Sequence, residues 1–148
     1  MVSYLIDTNI VLRVLHRADP RHAMVRGAVR TLRTNGHALQ VTPQNFTEFW
    51  NACTRPISQN GFGLMPIETE RLLRLAERLF PLLPDAAAIY PEWRRLVVEY
   101  GVSGVQVYDA RLTAAMIIHH VTHILTFNTA DFVRYAPEGI VAVDPTTV

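Results

Sequence analysis

Short apolar segments alternate along this chain with longer segments of helical periodicity, and this alternation is the feature that most constrains its fold. We predict short, mostly apolar strands at Val2–Ile6, His37–Thr42, Thr122–Phe127 and Gly139–Val143, with a further brief strand at Leu82–Leu83. Apolar strands that alternate with helices belong to parallel sheets that carry helices on both faces. The pattern therefore predicts an α/β fold.

Helical segments fill the intervals between these strands. We predict helices at Thr8–Leu15, Pro20–Thr34, Pro43–Arg55, Ile67–Phe80, Val107–His120 and Thr129–Tyr135, and a helix capped by Asp85 that runs to about Tyr100. No repeat or long linker divides the chain. Its 148 residues are enough to bury about two-thirds of the unfolded surface. We therefore expect residues 1–148 to form a single domain.

Composition excludes several kinds of chemistry. All fourteen basic residues are arginine, and against thirteen acidic residues they leave a net charge of +1. Without lysine, the chain has no Schiff-base chemistry, no catalytic lysine base and no P-loop lysine. One cysteine, Cys53, excludes an internal disulfide and a thiol-rich zinc site. The sequence shows no secretory signal and no membrane-spanning stretch, so we expect a cytoplasmic protein.

Four of the acidic residues lack the ordinary explanation of a surface ion pair or a turn. Asp7 and Asp131 follow predicted strands, Asp109 lies in the first turn of an apolar helix, and Glu48 lies among aromatic residues on another helix. Each also has a purely structural interpretation: Asp7 and Asp131 as helix caps, Asp109 as a partner of the helix dipole, and Glu48 as a residue on a polar edge.

Taken together, these acids occupy positions that a parallel sheet gathers at one edge. Carboxylates that converge there repel one another, and their pKa values rise unless a cation holds them. The chain has no lysine, and Arg111 is the nearest obvious organic cation. A metal ion is therefore the expected counter-ion, and oxygen ligands favour Mg²⁺ or Mn²⁺ over zinc. Such sites commonly hydrolyse phosphodiesters.

The residues around these acids form four motifs: Tyr4-Leu-Ile-Asp7-Thr8-Asn9, Thr47-Glu48-Phe49, Tyr108-Asp109-Ala110-Arg111 and Thr126-Phe127-Asn128-Thr129-Ala130-Asp131-Phe132. In this order they resemble the motifs of PIN-domain ribonucleases, and the resemblance runs from residue 4 to about 143. Small single-domain members of that family are mostly VapC-type toxins, each paired with an antitoxin.

The resemblance implies a three-layer α/β/α sandwich with a short parallel sheet and an endoribonuclease site that uses Mg²⁺ or Mn²⁺. Asp7 and Asp109 would be the principal metal ligands, and Glu48 would complete the set or position the water. Asp131 would bind a second metal or act through water. Family members place the fourth acid either where Asn128 stands or where Asp131 stands, so Asn128 is a candidate neutral ligand or water-positioning group.

The resemblance also suggests which residues support the site and which bind partners. Thr8, Asn9 and Thr126 are expected to donate hydrogen bonds that hold the carboxylates in place. Among the expected partners are an RNA substrate, a cognate antitoxin and a second copy of the chain.

Arginines dominate the segment between Thr8 and Thr47, which contains six of them and one acid. Arg13, Arg26 and Arg30 are therefore candidate substrate-binding residues. Alternatively, these side chains form a solvated helix face, or they receive an acidic antitoxin tail.

Two other classes of protein share part of this pattern. The first is a PIN-like RNA- or protein-binding module that does not cleave, although its four acids are intact here. The second is a phosphotransfer domain. A phosphatase of that type needs a second Asp two residues after Asp7, where Asn9 stands, and a receiver needs a lysine.

Overall fold

A four-stranded parallel sheet forms the centre of the computed structural model, which describes all residues from Met1 to Val148. Its strands are β1 (Ser3–Ile6), β2 (Ala38–Gln40), β3 (His123–Leu125) and β4 (Val141–Val143), in the order β2-β1-β3-β4. All three pairings are parallel. Beyond β2, a single parallel bridge joins Val41 to Leu82, where the sequence predicts a further brief strand. The prediction of a parallel sheet is confirmed.

Six α-helices connect and cover the strands: α1 (Thr8–Leu15), α2 (His22–Thr34), α3 (Pro43–Thr54), α4 (Pro66–Leu79), α5 (Ile89–Glu99) and α6 (Gln106–Ile118). Short 3₁₀ helices lie at Ile57–Gln59, Thr129–Asp131, Val133–Glu138 and Pro145–Thr147. The predicted helix at Thr129–Tyr135 is thus present as two 3₁₀ segments rather than as one α-helix. The longest helix has 14 residues, and none has the length and apolar character that a membrane span requires.

Successive side chains of β1 enter two different cores, as the period of a strand requires. Tyr4 and Ile6 pack with α1–α4, whereas Leu5 packs with α5, α6 and the aromatic residues that follow β3. The sheet is therefore covered on both faces, which confirms the three-layer α/β/α architecture. Cys53 is buried in the first of these cores as an ordinary small apolar residue.

The start of α5 differs from the prediction that Asp85 caps it. The helix begins at Ile89, its N-terminal flanking residue is Ala88, and Asp85 is exposed and forms an ion pair with Arg111 at 3.3 Å. Pro91 accounts for the later start. Proline is tolerated only in the first turn of a helix, and a helix capped by Asp85 would place Pro91 in its interior. Ile89 is also the first buried residue of this segment.

Candidate active site

The carboxyl ends of β1 and β3 lie side by side and place Asp7 next to Thr126. The backbone N–H of Asp7 donates to the carbonyl of Leu125 at 3.1 Å, which continues the pairing of the two strands. The carboxylate of Asp7 is buried and accepts hydrogen bonds from the Thr8 N–H (2.8 Å), the Thr126 hydroxyl (2.7 Å) and the Asn9 amide (3.4 Å). Three neutral donors therefore fix its position.

Helix α3 brings Glu48 to the same edge. Its start is defined by a capping box, in which the Thr42 hydroxyl accepts from the Asn45 N–H and the Asn45 side chain accepts from the Thr42 N–H. One carboxylate oxygen of Glu48 accepts from the Thr8 hydroxyl at 3.3 Å, and the other accepts from the Gln44 amide at 2.8 Å. Thr8 therefore connects the first two acids, because its N–H bonds Asp7 and its hydroxyl bonds Glu48.

Asp109 comes from the first turn of α6 and is half-buried. The amide of Gln44 donates to the carbonyl of Tyr108 at 2.9 Å, so the residue that bonds Glu48 also joins α3 to the start of α6. The carboxylate of Asp109 has no hydrogen bond or salt bridge to the protein, whereas its carbonyl accepts from the Thr113 hydroxyl. This acid has no partner of its own within the fold.

The two candidates for the fourth position lie differently. Asn128 lines the cleft, and its N–H donates to the Thr126 hydroxyl at 3.0 Å. Asp131 is exposed on the following 3₁₀ turn and does not line the cleft, although its charge acts on both Asp7 and Asp109. The structure therefore presents an amide to the cleft and places the fourth carboxylate at its edge.

An open cleft of about 630 Å³ joins these side chains. Asp7, Glu48, Asp109 and Asn128 line it. The lining also contains five polar residues that were not predicted as site residues: Gln44, Thr47, Asn51, Arg55 and Tyr108. Arg55 follows Glu48 by seven residues, which is two helical turns and therefore the same face. Helical periodicity alone is therefore enough to predict that Asn51 and Arg55 lie on the same face of α3 as Glu48.

Burial and mutual repulsion dominate the electrostatics of the two aspartates. Burial raises the pKa of Asp7 to about 6, even though its hydrogen bonds from Thr126 and Thr8 lower the pKa. Burial also raises the pKa of Asp109 to about 7.

The acids also act on one another. The charges of Glu48 and Asp131 add to the pKa rise of Asp7, and those of Asp7, Asp131 and Glu48 add to the rise of Asp109. Arg134 opposes the rise at Asp109 without forming a salt bridge to it. None of the four acids forms a salt bridge. The charges of these acids are therefore not compensated by any salt bridge within the protein.

Comparison with known protein families identifies this arrangement. The model of the PIN domain family matches residues 4–137. The chain belongs to the PIN domain family. Among curated proteins, none matches the sequence.

Solved structures share the PIN fold along nearly the whole chain. FitAcB from Neisseria gonorrhoeae is 21% identical with a TM-score of 0.67, and the alignment covers 98% of this chain and 99% of that one. VapBC2 from Rickettsia felis, bound to a DNA fragment from its promoter, is 11% identical with a TM-score of 0.66 and coverages of 97% and 98%. Mycobacterium tuberculosis VapC20, described as a Sarcin-Ricin loop cleaving toxin, is 13% identical with a TM-score of 0.63 and coverages of 95% and 98%. Because all three sequence identities are low, these comparisons show a shared fold only.

The acids of this PIN domain have the donor chemistry of a magnesium site. Carboxylate oxygens with neutral hydrogen-bond partners are ligands that hard divalent cations prefer. Nowhere in the chain, however, do three or more His, Cys, Asp or Glu side chains stand close enough together to hold a metal ion as they are placed. Asp7, Glu48 and Asp109 therefore share one cleft without meeting at a single point.

The arginines that the sequence singles out lie in different places on the PIN domain. Arg13 donates to the carbonyl of Asn9 at 2.8 Å and lies over the ring of Phe127, so it is adjacent to the site without lining its cleft. Arg26 and Arg30 are exposed on α2 and line a separate cleft between α1, α2 and α4, of about 580 Å³. The structure does not bring these two residues to the acids, and their binding of RNA remains a prediction.

Proposed function

We propose that this PIN domain is an endoribonuclease that depends on Mg²⁺ or Mn²⁺ and hydrolyses phosphodiester bonds of RNA. One observation carries the proposal: Asp7, Glu48 and Asp109 face one cleft, and no cationic side chain of the protein pairs with them. A buried carboxylate without a partner is costly to a fold. A divalent cation would balance that charge and would offset the rise in the pKa values of Asp7 and Asp109.

The roles of the residues follow from their contacts. Asp7 and Asp109 would hold the ion, and Glu48 would complete the set or orient the attacking water. When bound, the ion activates that water and neutralises the scissile phosphate. Thr126 and Thr8 keep Asp7 in one orientation through their hydrogen bonds. Asn128 faces the cleft as a neutral polar group, and Asp131 would act from the edge, through water or a second ion.

The decisive experiment is incubation of the purified protein with a mixed RNA pool in Mg²⁺, in Mn²⁺ and in EDTA. Defined cleavage products with metal, and none with EDTA, are the expected result. Absence of cleavage with either metal, while the RNA is still bound, would indicate the non-cleaving module instead.

Metal binding is expected to raise the melting temperature of the wild-type protein. At a hundred times its Kd, an ion that binds only the folded state adds about 2.7 kcal/mol of stability. For a chain of this size, that corresponds to roughly 5–10 °C. The expected shift disappears in Asp7→Asn, which loses a carboxylate of the cleft. It persists in Glu70→Gln, which removes an exposed acid paired with Arg74 on α4. Equal shifts in all three proteins would contradict a metal at this site.

The substitution Thr126→Val is expected to reduce cleavage at pH 7 by roughly ten- to a hundredfold, the usual cost of removing a group that orients a metal ligand. The Thr126 hydroxyl donates to Asp7 at 2.7 Å and lowers the pKa of that carboxyl. Without it, a larger fraction of Asp7 is protonated at pH 7. Cleavage rates at pH 7 and pH 8.5 test this at a metal concentration below saturation, where protons compete with the ion for Asp7, because the deficit shrinks as Asp7 ionises at the higher pH. A deficit of the same size at both values would exclude this explanation.

We also propose that the chain is the toxin of a toxin–antitoxin pair. This proposal is supported by its likeness in fold to FitAcB, to VapBC2 and to the RNA-cleaving VapC20. A cognate antitoxin and a homodimer belong to the proposal. The neighbouring reading frame provides the test: co-expression of its product would suppress RNA cleavage and co-purify with this chain. The mass in solution tests the dimer.

A further inference from the structure

One arginine of the cleft has no role in the proposed metal chemistry. Arg55 directly follows α3 as its C-terminal capping residue, is half-buried, and lines the cleft that Asp7, Glu48 and Asp109 also line. It lies two helical turns, or about 10 Å, beyond Glu48 along the same helix. It is the only cationic side chain of that lining.

The guanidinium of Arg55 is held in place but not neutralised. Its Nε is buried and has no hydrogen-bond partner, and Nη2 donates to the carbonyl of Asn60 at 3.0 Å. No acidic side chain forms a salt bridge with it. A buried donor without a partner costs about 1–3 kcal/mol. The fold therefore maintains an unsatisfied cation in a cleft of carboxylates, without pairing it with any of them.

The loop that follows α3 fixes this arrangement. Besides the bond from Arg55 to Asn60, the N–H of Gly63 donates to the carbonyl of Arg55 at 2.9 Å. Gly61 packs so closely that a Cβ at its position would lie 2.0 Å from the same carbonyl oxygen. Any residue larger than glycine at position 61 must therefore displace the loop or Arg55.

None of the other arginines near the acids lines the cleft, including Arg13, whose Nε also lacks a hydrogen-bond partner. Arg111 pairs with Asp85 and donates to Gln44, and Arg13 lies within 3.8 Å of Asp19. Arg134 donates to Gln106 and does not line the cleft. Only Arg55 combines a place in the cleft with donors that have no acceptor.

We propose that Arg55 binds a phosphate of the RNA strand that neighbours the phosphate being cleaved. The inference rests on the proposed function. A polyanion that enters this cleft meets carboxylates of its own sign, and an ion at Asp7 and Asp109 neutralises only the scissile group. The planar guanidinium donates two parallel N–H bonds to a phosphate, and such charge-assisted bonds are stronger than neutral ones. Arg55 thus contributes substrate affinity, whereas the acids contribute chemistry.

Steady-state kinetics of Arg55→Ala and Arg55→Lys test this assignment. Loss of a charge-assisted bond is expected to raise KM roughly ten- to a hundredfold in Arg55→Ala, with kcat within about threefold of wild type. Arg55→Lys keeps the positive charge but cannot donate two parallel N–H bonds, so we expect a KM between those of the wild type and Arg55→Ala. Arg71→Ala is the control, because it removes the same charge from an exposed position on α4 outside the cleft. Thermal melts confirm that each variant folds.

A second readout separates binding from cleavage. In an Asp109→Asn background, Kd for a short labelled single-stranded RNA is measured over a range of salt concentrations. Each phosphate contact contributes about 0.7 to the slope of log K against log salt for a single strand. Arg55→Ala is expected to reduce that slope by about this amount, and Arg71→Ala to leave it unchanged. Gly61→Ala retains the charge but displaces the loop, so we expect it to weaken binding as well.

The outcomes distinguish this proposal from the one on which it rests. If the wild type cleaves RNA and Arg55→Ala matches Arg71→Ala in KM and salt slope, Arg55 has no phosphate role and the nuclease proposal stands. If the wild type does not cleave, yet its RNA binding depends on Arg55, the nuclease proposal fails and only the phosphate contact of Arg55 stands, without a neighbouring scissile group. If the wild type neither cleaves nor binds RNA, both proposals are overturned.

Discussion

Asp109→Asn is expected to reduce RNA cleavage by at least about a hundredfold, since loss of a group that merely orients a metal ligand already costs ten- to a hundredfold. The carboxylate of Asp109 lines the cleft and has no partner in the protein, so the substitution breaks no hydrogen bond or salt bridge of the fold. Cleavage of a labelled RNA in Mg²⁺ measures the effect, and thermal unfolding establishes that the variant is folded.

Matched variants make this result specific. Asp7→Asn should lose cleavage to a similar extent, whereas Glu70→Gln should retain it, because Glu70 pairs with Arg74 on α4 outside the cleft. Asp131→Asn tests the fourth acid. We expect a smaller loss of cleavage from it, because the Asp131 side chain lies at the edge of the cleft and does not line it. Cleavage near the wild-type rate in Asp109→Asn would remove the basis for the proposed site.

The metal-free protein is expected to become more stable as the pH falls from 8 to 5. The folded-state pKa of Asp7 is about 6, against a usual value of 3.8, and that of Asp109 is about 7. In this range the folded state binds more protons than the unfolded state, so the free energy of unfolding decreases as the pH rises. Between pH 8 and pH 5, Asp7 contributes about 1.4 kcal/mol of this change, because pH 5 lies one unit below its folded-state pKa and one pKa unit corresponds to about 1.4 kcal/mol. Asp109 is partly exposed, and solvent screening reduces its share to roughly 1–2 kcal/mol.

Urea unfolding in EDTA at pH 5 and pH 8 measures this trend, and Asp7→Asn isolates the contribution of Asp7. The variant should be more stable than the wild type at pH 8 and should show a smaller change with pH. His123 acts in the opposite direction, because burial lowers its pKa, but it does so equally in both proteins. Saturating Mn²⁺ should abolish the trend, since the ion binds the ionised carboxylates. Equal stability at both pH values in EDTA would show that the carboxylates are not destabilising.

The sequence predicts this fold and much of this site because both depend on local pattern. Apolar strands that end in an acid indicate where the acids meet, since parallel strands share their carboxyl edge. Asp7 reaches the cleft for this reason, whereas Glu48 reaches it from α3, the helix that follows β2. The start of α5 was also predictable from the sequence, because Pro91 is incompatible with a helix that begins at Asp85.

Features that depend on packing between distant elements were beyond the sequence. Arg26 and Arg30 line a cleft away from the acids because α2 packs beside α1 and faces α4, and no spacing within α2 reveals this. The partnerless Nε of Arg55 depends on how the loop after α3 folds back onto it. The different placements of Asn128 and Asp131 follow from a 3₁₀ turn, which periodicity does not distinguish from a short α-helix.

The hydrogen bond from Thr126 to Asp7 spans 119 positions along the chain. A ribosome-bound nascent polypeptide in which residue 126 has not yet been made has β1 and α3, yet it lacks the strand that pairs with β1 at this edge and the hydroxyl that orients its first carboxylate. The cleft can therefore take its final arrangement only after most of the protein has been translated.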